Sequence, residues 1–319
     1  MRPIRIVIIA AAAVVALASI VAIGRHDSSG APSAGAGGAT FTLPHVPGSY
    51  LGVYRTGVPH SYAGVAAFAT ATGVRPNVVS YYSSWLEPFR AGFATTATRH
   101  GAVPLVQIEP FGVTLDAIAA GSYDRYLTAY ASAVRAYGHP VILGFGHEPN
   151  GYWYPWGYRH ASPAAFVAAW RHIVTVFRAA KVRNVTWLWT INVSSERGAI
   201  RPPGPWWPGS SYVTWVGLDG YYLKSSWTFA PLFGPTIKVV HALTSDPILI
   251  SETGAAPAAG KPAKISDLFA GVRAYGLLGF VWFDSIGLKD WRITDPAALA
   301  AYHRGASTYN ASSRERPAP

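Results

Sequence analysis

Short apolar runs rich in β-branched and aromatic residues recur along the chain, and stretches with helical spacing separate them. The runs are Leu51–Tyr54, Val78–Tyr82, Val103–Ile108, Val141–Phe145, Val185–Thr190, Trp215–Asp219, Ile248–Ser251 and Leu278–Phe283. They lack strict apolar–polar alternation, as expected of strands buried on both faces of a parallel sheet. Eight such runs interleaved with helices predict an α/β fold, a (β/α)8 TIM barrel with a single catalytic domain. An open doubly wound sheet is the runner-up, but no Gly-rich phosphate loop follows the first run. Between the runs, Ser162-Pro163 reads as a helix cap followed by proline in the first turn. Phe166, Trp170, Ile173, Val174 and Phe177 then form one apolar face. Asp124–Tyr137 and Ser266–Tyr275 read as further helices, stopped by Gly138 and Gly276.

The two ends of the chain break this rhythm. Arg2 and Arg5 precede an apolar stretch from Ile6 to Ile23, the pattern of an export signal. Ala16-Leu17-Ala18 offers a small-residue cleavage site, yet the stretch approaches the roughly 18–20 residues that span a bilayer. Residues 1–23 are therefore a cleaved signal peptide or an uncleaved membrane anchor. Either one places the rest of the chain outside the cytoplasm, secreted or held at the outer face of the cell membrane. Residues 24–48, rich in Gly, Ala, Ser and Pro, read as a flexible tether. Residues 49–304 form one continuous barrel domain, and residues 305–319 read as a loose polar tail.

Composition narrows the chemistry. With half its 319 residues hydrophobic and 13% charged, the chain can fill a barrel core and is not of the disordered class. The absence of cysteine excludes disulfides, thiolate metal sites and a cysteine nucleophile. No spacing of histidines and carboxylates suggests a metal site, so neither metal nor cofactor is expected. A net charge of +11 would suit anionic polymers or lipid, but no dense Lys/Arg cluster accompanies it, which argues against nucleic acid. Twelve Trp and 18 Tyr supply either core volume or platforms for flat ligands such as sugars. A monomer is expected.

Six glutamates make the search for a site short. In this barrel, functional side chains project from the C-terminal ends of strands. Glu109 ends the third run, Glu148 follows the fourth and Glu252 follows the seventh, while Asp219 and Asp284 stand at the ends of the sixth and eighth. Glu87, Glu196 and Glu315 read as loop or tail residues. Glu148 and Glu252 are 104 residues apart, which fits three strand–helix units. Two facing carboxyls suit glycoside hydrolysis, where one protonates the leaving oxygen and the other attacks the anomeric carbon. Strand-end carboxyls also cap loops or form core ion pairs, so the pair alone leaves both readings open.

The surrounding segments carry a resemblance. His147-Glu148-Pro149-Asn150-Gly151-Tyr152-Trp153-Tyr154-Pro155-Trp156-Gly157 resembles the acid/base motif of glycoside hydrolase family 26, the β-mannanase family. Trp206–Tyr221 resembles that family's sixth strand and its lead-in, and Ser251-Glu252-Thr253-Gly254 its nucleophile strand. Phe280–Asp284 with Asp290-Trp291-Arg292-Ile293 resembles its eighth. The resemblance covers roughly residues 51–304.

It implies a retaining hydrolase of internal β-glycosidic bonds, with Glu148 as general acid/base and Glu252 as nucleophile, and β-1,4-mannan as the leading substrate. It also implies that His147 orients the site or bonds a sugar hydroxyl, and that Asn150 hydrogen-bonds near the acid/base loop. Trp153 and Trp156 become candidates for sugar stacking, Tyr221 a contact to the nucleophile, and Trp282 an aromatic floor of the reacting subsite. Tyr82, Trp85, Asn192 and Trp227 are weaker cleft candidates, and Asp219 and Glu109 fit either the cleft or structural hydrogen bonding.

The chain departs from the pattern at Pro149, where the family has Met, at Gly144, where many members carry Arg, and at Tyr222, where Asn is usual. Mixed-linkage glucan, xylan and exopolysaccharide are the other substrates weighed. A surface polysaccharide-binding protein with a silent site is the rival from another class.

Overall fold

The computed structural model describes residues 43–193 and 201–314. The export segment, most of the tether, Glu196 and Glu315 lie outside the described residues.

Eight parallel strands close into one barrel, each pairing with its sequence neighbours and β1 with β8. They are β1 (Tyr50–Tyr54), β2 (Val78–Ser84), β3 (Val103–Glu109), β4 (Val141–Phe145), β5 (Val185–Asn192), β6 (Trp215–Tyr222), β7 (Ile248–Ala255) and β8 (Gly279–Phe283). The helices α1 (Ala63–Thr72), α2 (Ala91–Arg99), α3 (Leu115–Ala119), α4 (Asp124–Tyr137), α5 (Pro163–Ala179), α6 (Phe229–Leu243), α7 (Lys261–Ala274) and α8 (Pro296–Arg314) lie between and after the strands. The predicted caps are present. The Ser162 hydroxyl accepts the Ala165 N–H at 3.1 Å, and Gly138 ends α4 in the left-handed conformation.

Side chains alternate along each strand, so the inside of the barrel is built in layers. The floor is a ring with one apolar side chain from every strand: Tyr50, Val78, Leu105, Ile142, Leu188, Trp215, Leu249 and Val281. Two residues further along, the inward positions turn polar, with Ser80, Gln107, Thr190 and Ser251 all buried. There the Gln107 amide donates to the Thr190 hydroxyl at 2.8 Å. This bond crosses the inside of the barrel because β4 contributes Gly144 at that level, where a Cβ would collide with the Gln107 carbonyl. Gly217 likewise yields its space, since a Cβ there would stand 2.5 Å from the Ser251 and Thr190 hydroxyls. Gln107 thus fills room above Gly144 that a long basic side chain on β4 would need.

Two boundaries differ from expectation. Residues 43–48 are not tether: Leu43 is buried against the floor ring, and Pro44 accepts the Tyr50 hydroxyl at 2.8 Å. They close the N-terminal end of the barrel. Residues 305–314 are not a loose tail but the continuation of α8. Its Ala301, Tyr302, Ala306 and Tyr309 recur at helical spacing and are buried, with both tyrosine rings edge-on to Phe269 of α7. The polar residues between them mask this stripe in the sequence.

Candidate active site

The next inward layer opens at the C-terminal mouth and collects the carboxyls. Glu148 stands in the turn after β4. Its backbone lies in the left-handed region at φ 54°, uncommon for a residue other than glycine. The turn is tied down because the Glu148 N–H donates to the Thr190 carbonyl at 2.9 Å and its carbonyl accepts the Gly151 N–H at 3.0 Å. The carboxyl receives two N–H donors, the Asn192 amide on Oε1 and the Trp153 indole on Oε2, both at 2.6 Å. It is 4% exposed. Burial first, and repulsion from Glu252 second, push it up to about 8.

Glu252 lies inside β7 rather than after it. The register of β7 against β6 slips between Leu218 and Asp219, an irregularity that lets Ser251 and Glu252 both serve the interior. The Ser251 hydroxyl donates to Asp219 at 2.6 Å. The Glu252 carboxyl receives the Tyr221 hydroxyl at 2.7 Å and the Tyr82 hydroxyl on its other oxygen. Burial raises Glu252, and the two phenols hold it down.

Two more carboxyls share the mouth. Asp219 is fully buried, and burial followed by repulsion from Glu252 and Glu148 raises it well above the ordinary carboxylate range. Glu109, at the end of β3, is pushed up to about 8 by burial and then by Glu252 and Glu87. No ion pair among the described residues involves any of the four. Arg55, the cation near β8, is paired with Asp284 instead. His147 supplies no charge either, because burial pushes it down to about 3. With no cation among the described residues paired to them, the raised groups favour their protonated forms. At Glu252 two phenol hydroxyls favour the ionised form against the burial that raises it.

The remaining predicted residues divide into those at the carboxyls and those behind them. Asn150 is buried and acts as a clamp. Its Oδ1 accepts the Asn192 N–H at 3.0 Å, while its Nδ2 donates to the Asn192 and Arg201 carbonyls at 2.9 and 3.2 Å. It therefore fixes the residue whose amide holds Glu148. His147 is buried beside Tyr82, with its Nε2 2.9 Å from the Tyr154 hydroxyl. Tyr221 reaches Glu252 with its ring 4.6 Å from that of Trp291.

Trp156 and Trp282 are corrections. Trp156 is 1% exposed, stacks flat on Tyr154 at 4.4 Å and donates to the His147 carbonyl at 2.8 Å, so it shapes the loop and offers no open face. Trp282 follows the inward-facing Val281, so alternation turns it to the outer side of β8. There it is fully buried and donates to the Trp291 carbonyl at 2.9 Å.

Of the weaker candidates, Tyr82 and Asn192 touch the two carboxyls directly. Trp85 packs outside the barrel among Tyr123, Tyr126 and Phe145, and Trp227 lies under the Lys224 ammonium at 5.6 Å. The signal that separates them is parity along the strand: Tyr82 and Asn192 stand an even number of residues from the floor positions Val78 and Leu188.

Comparison with known proteins agrees with the barrel fold. Residues 113–258 match the family described as glycosyl hydrolase family 26. The chain is 30% identical to Endoglucanase H of Acetivibrio thermocellus over 273 residues, which is 80% of this chain but only 30% of that protein. In fold it is similar to a Bacillus subtilis mannanase, with a TM-score of 0.60 and 16% identity over 82% of this chain and 86% of the other. It is also similar to a modular endo-β-1,4-mannanase of Cellulomonas fimi, with a TM-score of 0.63 and 17% identity over 82% and 71% of the two chains. The matched segment, residues 113–258, contains both Glu148 and Glu252, so the two strand-end carboxyls lie within the stretch that is similar to glycosyl hydrolase family 26.

Proposed function

We propose that this barrel hydrolyses internal β-glycosidic bonds of a polysaccharide by double displacement, with Glu148 as general acid/base and Glu252 as nucleophile. The observation that carries the reading is the different setting of the two carboxyls: one is pushed up to about 8, and the other, also raised by burial, has that rise opposed by two phenols. In the first step a Glu252 oxygen attacks the anomeric carbon, and the Glu148 proton passes to the leaving glycosidic oxygen. Glu252 is then an ester and carries no charge. Its repulsion of Glu148 disappears, so Glu148 falls in pKa and becomes the base that takes a proton from water. That water attacks the anomeric carbon, releases Glu252 and restores the proton to Glu148. The site carries one unit of negative charge before and after the first step, which suits carboxyls that have no paired cation among the described residues.

β-Glucan is the substrate class to test first, because the relative at 30% identity is an endoglucanase, whereas the mannanase likenesses of 16–17% extend to the fold. β-Mannan follows. The Arg-flanked apolar run at residues 1–23 supports an extracellular place of action, secreted or anchored at the outer face of the membrane, with the chain acting as a monomer. The test is cleavage of lichenan, glucomannan, mannan, xylan and bacterial exopolysaccharides, with the anomer of the first-formed product read by NMR. Retained β-anomer from one of them is expected. Inverted product removes the double displacement, and cleavage of none favours a silent binding protein.

A further inference from the structure

Two carboxyls at the mouth, Asp219 and Glu109, have no part in the double displacement, and of these Asp219 already receives the Ser251 hydroxyl. The inward alternation Leu105, Gln107, Glu109 puts the Glu109 side chain one layer above the amide that bonds across the barrel to Thr190. Glu109 is 7% exposed, and its Oε1 is closed to solvent without a hydrogen-bond partner. Among the described residues, its carboxyl makes neither an ion pair nor a hydrogen bond. A buried carboxyl left this way works against folding, so its presence calls for a partner that arrives from outside.

The surroundings say what kind of partner. Glu109 is close enough to raise both Tyr54 and Tyr154 electrostatically. Two residues on, the exposed Phe111 sets its ring edge-on to Trp156 at 4.8 Å and to Tyr154 at 6.1 Å. Of these rings, Phe111 is exposed and Tyr54 half-buried, and an open aromatic face beside a polar group suits the mixed faces of a sugar ring. Glu109 ends β3, the strand beside the one that leads into Glu148, and it is close enough to Glu252 to be raised by it. Pushed up to about 8 with no cation paired to it among the described residues, Glu109 favours its protonated form, and a neutral carboxyl both donates and accepts, as sugar hydroxyls do.

Building on the hydrolase reading above, we propose that Glu109 is a sugar-binding carboxyl of the cleft, bonding hydroxyls of a neutral β-glycan. An acidic sugar would meet the negative charge proposed for Glu252 and is disfavoured.

The whole chain is compared with Glu109→Leu and Glu109→Gln on a mixed-linkage β-gluco-oligosaccharide and on a manno-oligosaccharide, with thermal melts alongside. Glu109→Leu loses about 10- to 100-fold in kcat/KM, the worth of one or two hydrogen bonds, on whichever substrate is cleaved. Glu109→Gln, which keeps a donor and an acceptor, stays within about fivefold. Glu109→Leu melts higher, by about 2–4 °C, because an unpartnered polar group has been removed. Unchanged kcat/KM in Glu109→Leu overturns the inference and leaves the hydrolase reading standing. A lowered melting temperature assigns Glu109 a structural role and also overturns it. If the unaltered chain cleaves neither these substrates nor any other β-glycan, the hydrolase reading falls and this inference falls with it.

Discussion

Glu148 and Glu252 face the same barrel mouth, yet the chain holds them by different means. Glu148 sits outside the sheet, in a turn with a left-handed backbone, and its carboxyl receives two N–H groups. Glu252 sits within a strand, brought inward by a register slip, and receives two phenols. Both are raised by burial. The repulsion between them acts on both, and at Glu252 two phenols oppose the rise. In the proposed double displacement, the division of roles is therefore set by neighbours on β2, β5 and β6 as much as by the glutamates themselves.

The strongest way to break this contrast is to remove each carboxyl in turn. Glu252→Ala should lose activity by about four orders of magnitude or more on every substrate, since no covalent intermediate can form. Glu148→Ala should lose about 10²- to 10⁴-fold on a polysaccharide. On an aryl glycoside with an acidic phenol as leaving group it should lose much less, because that group departs without a proton. Steady-state kinetics on the two substrate types check this, and equal losses on both would remove the acid role.

Removing the donors sharpens the contrast. Tyr221→Phe takes away a hydrogen bond that favours ionised Glu252, so the acid limb of the pH–rate profile should move to higher pH, with kcat falling about tenfold. Asn192→Ala should move the alkaline limb upward instead, since Asn192 lowers Glu148. The two limbs should shift independently.

Stability should also follow pH. Between about 4.5 and about 8, Glu109 and Glu148 hold protons in the folded chain that the unfolded chain has released. The folded state binds more protons in that window, so stability falls as pH rises through it. Melts from pH 5 to pH 8 check the direction, and a melting temperature that climbs over that range contradicts it. The smallest expected effect on activity belongs to Trp282→Phe. It should cost about 1–3 kcal/mol of stability and leave KM within about twofold, as suits a ring on the outer face of β8.

The strand rhythm made the barrel legible, because eight buried runs of the right length have few other solutions. Strand-end placement and the flanking motifs likewise brought out Glu148 and Glu252. What the sequence concealed depends on which side of a strand a residue faces. Trp282 and Val281 are adjacent and equally apolar, and only closure of the barrel reveals that Val281 faces in. Tyr82 and Asn192 stood only among the weaker cleft candidates because their partners lie 170 and 44 residues away. The register slip at Glu252 leaves no mark in composition, so the residue read as following its strand when it lies inside it. The end of α8 was hidden for another reason: its buried stripe is made of alanines and tyrosines among polar residues, which has the composition of a tail.

The central claim is that Glu252 carries the charge and attacks. The direct measurement is inactivation with an activated 2-deoxy-2-fluoro glycoside of the substrate's sugar, followed by mass spectrometry of the digested protein. One glycosyl group attached to Glu252 is the predicted result; attachment to Glu148 or Glu109, or inverted product with no covalent adduct, would contradict the account.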